Sequence, residues 1–205
     1  MRRSDHLHKI IRAVGYPCFH SVYRIDVQGR ENLLPDGPAI VAAKHQFWTD
    51  IPIVGLALWK PAYYVAKQEL FVYPFVREFL NGLGGIPLDR ANPMKTRKSF
   101  RLIEDLLGRR EWIVLFPEGT YYPYSMGAGK HRLIELILRF QDRRTGGGGI
   151  PFYPMGIQYS KSGVRPPVRV RIGPPLYRGE GADAEEFTRQ IMAGIAELSG
   201  LGPAP

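Results

Sequence analysis

Two short apolar runs stop abruptly at charge. Ala39-Ile40-Val41-Ala42-Ala43 gives way to Lys44-His45, and Trp112-Ile113-Val114-Leu115-Phe116 gives way to Pro117-Glu118. Neither run alternates polar with apolar residues, so each reads as a strand buried on both faces. Buried strands need covering layers, and the rest of the chain supplies them. Residues 51–59, 94–107, 130–140 and 184–198 read as helices. Pro52 sits in the first turn of one, where a missing N–H costs nothing, and Pro93 and Gly108 bracket another. Leu133, Leu136, Ile137 and Phe140 form the apolar stripe of the third. Further strands are predicted over 23–28, 62–66, 85–88, 152–159 and 168–172, and Pro74 divides 69–80 into two short helical pieces. Strands alternating with helices predict an α/β fold: a mixed, largely parallel central sheet flanked by helices.

The 205 residues suffice for one sizeable core, and no linker or repeat divides them. A single domain is expected, with a core over 23–205 behind an N-terminal segment, 1–22. No apolar run is long enough for a transmembrane helix. Lys9, Arg12, Gly15, Pro17 and His20 break the stretch that a secretory signal would need. Leu7, Ile10, Ile11 and Val14 instead fall at helical spacing, with Lys9 and Arg12 off that stripe. Such a helix either lies on a membrane surface or docks on the protein's own core. The glycines at 146–149 predict a flexible loop. Cys18, the only cysteine, permits no internal disulfide and reads as a small buried apolar group.

Charge narrows the partners. Lys plus Arg number 28 against 19 Asp plus Glu, a net +9. That surplus suits a polyanion or an anionic surface, the plain alternative being a solvated basic face. The basic residues are scattered and no nucleic-acid module is recognisable, so nucleic acid is not expected, while an anionic phospholipid surface also fits the charge.

Four segments lie where strands run out into polar loops, the edge at which open α/β sheets bind ligands. In Lys44-His45-Gln46-Phe47-Trp48-Thr49-Asp50, the histidine and aspartate are five apart. On one continuous helix they would diverge by roughly 140°. They meet only across a turn, where the carboxylate could fix the imidazole tautomer and make a general base. The competing reading is Asp50 as a helix cap beside an incidental His45. Gly84-Gly85-Ile86-Pro87-Leu88-Asp89-Arg90 offers close backbone approach and an arginine that can grip phosphate, or else a turn with a surface ion pair. In Phe116-Pro117-Glu118-Gly119-Thr120, Glu118 either binds a ligand hydroxyl, anchors Arg90 or sits in a plain turn. Ile150-Pro151-Phe152-Tyr153-Pro154 either walls an acyl channel or packs as ordinary core.

In this order and spacing the segments resemble the sequence blocks of the glycerolipid acyltransferases, the lysophosphatidic acid acyltransferase family. The similarity runs from about Tyr23 to Ile172 and includes Val65-Ala66-Lys67-Gln68-Glu69-Leu70-Phe71. The resemblance implies that family's fold, with His45 as the base and Asp50 as its orienter. It implies Gly85, Arg90, Glu118, Gly119 and Thr120 around the acceptor's phosphate and glycerol, and Ile86, Pro151 and Pro154 on the acyl-donor side. Tyr121-Tyr122-Pro123-Tyr124 departs from it, since many members carry a small polar or basic residue after the threonine.

The implied reaction is direct transfer of a fatty acyl group from acyl-CoA or acyl-carrier protein to a lysophospholipid hydroxyl, 1-acylglycerol-3-phosphate foremost. Glycerol 3-phosphate or a lyso-aminolipid are alternative acceptors, and a thioester or lipid hydrolase or a non-catalytic lipid-binding module are the rivals. No acyl-enzyme is expected, because no serine or cysteine stands beside the pair. No metal or cofactor is expected, and backbone amides near the second segment are candidate oxyanion donors. The expected location is peripheral, on the cytoplasmic face of a membrane.

Overall fold

A computed structural model describes residues 5–89, 93–143, 149–161 and 163–202. Arg90 and glycines 146–148 lie outside the described residues, as do the side chains of Leu7 and Ile11. In chain order the elements are α1 (Asp5–Val22), β1 (Arg24–Gln28), β2 (Ala39–Ala43), α2 (Asp50–Ala57), β3 (Ala62–Lys67), α3 (Pro74–Gly82), β4 (Gly85–Leu88), α4 (Pro93–Gly108), β5 (Trp112–Leu115), α5 (His131–Asp142), β6 (Phe152–Tyr159), β7 (Pro167–Ile172) and α6 (Ala184–Ser199). A short 3-10 turn, Gln68–Phe71, precedes α3, so Pro74 does split that stretch in two.

The strands form one sheet in the order β1-β7-β6-β2-β5-β3-β4. Every pairing is parallel except β6 with β7. The two runs that end at charge are β2 and β5, paired in register from Ala39 with Trp112 to Ala42 with Leu115. Strand alternation then sorts their side chains. Ile40, Ala42, Ile113 and Leu115 pack with Ile103, Leu107, Ile137, Phe187 and Ile191 of α4, α5 and α6. Val41, Ala43 and Val114 face Ile53, Val54 and Ala57 of α2 on the other side. Because β2, β3, β4, β5 and β6 run parallel, their carboxyl ends share one edge. That edge receives His45, Lys67, Asp89, Glu118 and Tyr159.

Helix α1 docks through the face opposite its apolar stripe. Ile10 and Val14 are exposed, whereas Phe19 packs on the α2 side of the core. Arg12 Nη1 donates to Leu58 O at 3.0 Å, and Arg30 reaches Leu56 O and Ala57 O. Two cations thus satisfy the orphan carbonyls at the end of α2, where the helix dipole also favours positive charge. The described stripe residues therefore do not dock on the core. Cys18 is a correction too: it is exposed on α1, because the helix presents that side to solvent. No helix among the described residues is long and apolar enough to cross a membrane.

Candidate active site

The segment joining β2 to α2 is a tight turn built on Asp50. Its carboxylate is fully buried, and Oδ2 accepts from Gln46 N at 2.5 Å, Phe47 N at 2.7 Å and His45 Nδ1 at 3.2 Å. These amides belong to the loop that precedes Asp50. The carboxylate therefore closes the turn that brings His45 back to it, and it does not cap the amides of α2. An ionised carboxylate only accepts, so Nδ1 carries the imidazole proton and Nε2 holds the free lone pair. The ring is stacked on Phe116, centroids 3.9 Å apart, and Tyr121 leans on it at 4.4 Å. Burial, with the Asp50 charge adding to it, pushes the Tyr121 phenol up.

A second carboxylate holds the same loop from behind. Glu118 is buried in the turn after β5, where Gly119 takes a positive φ of 69° that favours glycine. Glu118 Oε2 accepts from His45 N at 3.0 Å, and Oε1 accepts from Gly127 N at 2.7 Å. Both oxygens lie 2.8 Å from Lys44 Nζ, which also donates to His45 O and Tyr122 O. Burial pulls the Lys44 amine down, while Glu118 and then Asp50 oppose it. Glu118 therefore anchors a lysine, and its oxygens are all engaged inside the protein. The amides of His45, Gln46 and Phe47 are consecutive, and all three end on these two carboxylates.

Residues from far along the chain complete the cage. Gln46 donates from Nε2 to Ile157 O and accepts from Tyr124 N. Tyr159, the last residue of β6, donates to Asp50 Oδ1 at 2.6 Å and lies 2.9 Å from Thr49 Oγ1. Burial, reinforced by Asp50, pushes the Tyr159 phenol well above its usual range. Sequence reasoning gave Lys44, Gln46, Thr49 and Tyr159 no role. The one available signal was a lysine ending one buried strand while a glutamate ends another.

His45 opens onto a cavity of about 610 Å³, a size that suits a small-molecule ligand. Its walls are mostly apolar, with Phe19 and Gly55 on one side, Tyr64 and Ala66 below, and Leu70, Phe79 and Leu83 near α3. Arg12 and Lys67 are the basic side chains that line it, and Gly85, Gly119, Thr120 and Tyr121 line it as well. Gly85 lies against Leu80 O at the start of β4, away from the strand ends that carry the polar groups. Ile86, Pro151 and Pro154, expected on the acyl-donor side, do not line this cavity. Ile86 is sealed in the core on the α4 side of the sheet. Pro151 sits at the entrance of β6, its carbonyl accepting from Ile40 N, and Pro154 packs where Gly173 and Gly194 leave room.

The chain is similar to known proteins. Residues 24–158 match the family model described as Acyltransferase. A 1-acyl-sn-glycerol-3-phosphate acyltransferase of Pseudomonas aeruginosa is 30% identical over 186 residues, 85% of this chain and 68% of that one. A chloroplastic 1-acyl-sn-glycerol-3-phosphate acyltransferase of Arabidopsis thaliana is 31% identical over 120 residues, 58% of this chain and 33% of that one. A lyso-ornithine lipid O-acyltransferase of Pseudomonas aeruginosa is 26% identical over 148 residues, 72% of this chain and 52% of that one. The chain thus spans from a third to about two thirds of the length of these relatives. The crystal structure of the 1-acyl-sn-glycerophosphate acyltransferase PlsC from Thermotoga maritima superposes with a TM-score of 0.73, covering 94% of this chain and 78% of that one, a likeness of fold at 23% identity. With the motif order, the fold and the matched span in agreement, the chain belongs to the acyltransferase family.

Proposed function

We propose that the chain transfers a fatty acyl group from acyl-CoA or acyl-carrier protein to the free hydroxyl of a lysophospholipid, 1-acylglycerol-3-phosphate foremost, giving phosphatidic acid. The observation that carries this reading is a histidine tethered through Nδ1 to a buried aspartate while it lines a mostly apolar cavity. His45 Nε2 takes the hydroxyl proton as the oxygen attacks the thioester carbonyl. The tetrahedral adduct collapses, the carbon–sulfur bond breaks, and the leaving thiolate takes the proton back. The described lining of the cavity includes neither serine nor cysteine, which supports direct transfer over an acyl-enzyme. Arg12 and Lys67 supply positive charge for an anionic headgroup or donor phosphate.

The same reading seats the protein on the cytoplasmic face of an anionic bilayer. Leu70, Phe79 and Trp48 line the cavity and are also exposed, and Val72, Tyr73 and Phe75 continue the apolar surface onto α3. An apolar rim around an apolar cavity lets an acyl chain enter without crossing water. The net charge of +9 adds attraction to such a leaflet.

The test is a panel of acceptors with one labelled acyl-CoA, read by mass spectrometry. The panel holds lysophosphatidic acid, glycerol 3-phosphate and lyso-ornithine lipid, the last because one relative bears that name. Phosphatidic acid from wild type and none from folded His45→Ala is the expected result. Free fatty acid with or without acceptor, and no new phospholipid, would show a hydrolase instead.

A further inference from the structure

Asp50 has two oxygens, and the contacts to His45 and the loop amides use only one of them. Among the described residues, the donor to Oδ1 is the Tyr159 hydroxyl at 2.6 Å, from a residue 109 positions away. We propose that Tyr159, backed by Thr49, is a positioning residue for acyl transfer: it holds Asp50 with Oδ2 toward His45 and tempers the charge that the imidazole feels. The proposal rests on the reading of His45 as the base.

The fold places this phenol with little freedom. Strand β6 is the parallel neighbour of β2 on the side away from β5, so its last residue arrives beside the loop that β2 begins. The Tyr159 ring meets Phe47 edge-on, centroids 5.1 Å apart at 89°, and Tyr23 at 6.2 Å and 72°. Phe47 is also the residue whose amide donates to Asp50 Oδ2. The carboxylate can only accept, so the phenol proton points at Asp50 and Thr49 Oγ1 donates to the phenol oxygen. Thr49 donates to Tyr159 and Tyr159 donates to Asp50, which also accepts from His45. A plain brace needs no such order, whereas a chain of donors draws charge off the carboxylate that faces the imidazole.

The other ionisable groups around the pair come from every neighbouring element. Tyr23 precedes β1, Tyr121 follows β5, and Lys44 with Glu118 lies behind the loop. Arg12 and Lys67 line the cavity. Tyr159→Phe removes none of them and keeps the ring that meets Tyr23 and Phe47, so a changed pH profile reports the lost hydroxyl. Without that donor the Asp50 carboxylate keeps more of its charge toward the imidazole, and the acid limb of activity moves to higher pH.

The experiment measures kcat/KM against pH for the full chain, with wild type, Tyr159→Phe and Thr49→Val, alongside their thermal midpoints. In Tyr159→Phe the acid limb moves up by about half to one pH unit, and plateau activity falls on the order of threefold to tenfold. In Thr49→Val the limb moves the same way by less. An acid limb that stays at the wild-type pH in both variants, or activity lost only in proportion to folded protein, overturns the proposal while leaving His45 as base. A wild-type chain that forms no acylated lipid would instead overturn the parent reading.

Discussion

Replacing Glu118 by Gln removes one charge from the interior and almost no volume. Its partner, Lys44, is 0% exposed and its amine lies 2.8 Å from both carboxylate oxygens. At an effective dielectric near 20, charges at 2.8 Å attract by about 6 kcal/mol. Desolvation offsets much of that in the intact pair, but removing one partner leaves a buried cation and costs about 3–5 kcal/mol. The glutamine also turns an amide donor toward the His45 or the Gly127 N–H, where an acceptor is needed. For a chain of this size each kcal/mol lowers the melting midpoint by about 2–4 °C, so Glu118→Gln should melt roughly 6–20 °C early. Lys44→Met alone should cost a similar amount, because it strands the carboxylate. The double variant has no unpaired charge and should be more stable than either single one, with a coupling energy of about 3 kcal/mol or more. Denaturant unfolding of all four corners of the cycle measures this. Single losses below about 1 kcal/mol, or losses that simply add, would refute the anchoring role. A weaker acceptor KM at unchanged stability would return Glu118 to the role of ligand contact.

Asp50→Asn should lower kcat by about 10²–10⁴ in the acyl-transfer assay, since the amide no longer fixes the tautomer or stabilises the imidazolium; a drop below threefold would sink the base assignment. Phe75→Asp changes a side chain that is 91% exposed, so the fold should persist while partition onto anionic vesicles falls by about tenfold or more, and unchanged flotation would refute the α3 contact. Burial raises the Tyr159 and Tyr64 phenols, aided at Tyr159 by Asp50 and opposed at Tyr64 by Arg12. Both then keep their protons when folded after the unfolded chain loses them near pH 10, so stability should fall as pH climbs past 10, by up to about 1.4 kcal/mol per pH unit for each. Lys44, lowered by burial, works in the opposite sense below its unfolded value of 10.5. Urea midpoints between pH 8 and 11.5 should show a shallower fall in Tyr159→Phe; an identical slope would count against a buried, protonated phenol.

The order of strands and helices was legible because β2 and β5 are apolar runs cut off by charge, and because proline and glycine mark the ends of α4. The turn between His45 and Asp50 was legible from their spacing together with the strand before them and the helix after. Tyr159 was not, since its contact with Asp50 follows from β6 lying beside β2, and strand order leaves no local trace. Lys44 stood in plain view, but lysines are so seldom fully buried that its burial could not be read from neighbours in sequence. Ile86 and Pro154 were expected on the acyl-donor side because the family resemblance put their segments there. Alternation along β4 turns Ile86 toward the α4 layer, and Pro154 meets the glycines of α6 and Gly173. The stripe of α1 was periodic as expected, yet Arg12 on the opposite face decided which side docks, by reaching the carbonyls at the end of α2.

The three loop amides committed to carboxylates carry a consequence for the other half of the chemistry. A carbonyl under attack gathers negative charge on its oxygen and must find donors within about 3 Å. The N–H groups of His45, Gln46 and Phe47 already face Glu118 and Asp50, so they have none to offer. If His45 is the base, as proposed, proton removal and oxyanion stabilisation fall to separate segments. On the proposed mechanism the turn that holds the base has no free amide for the oxyanion, and its donors must come from other segments.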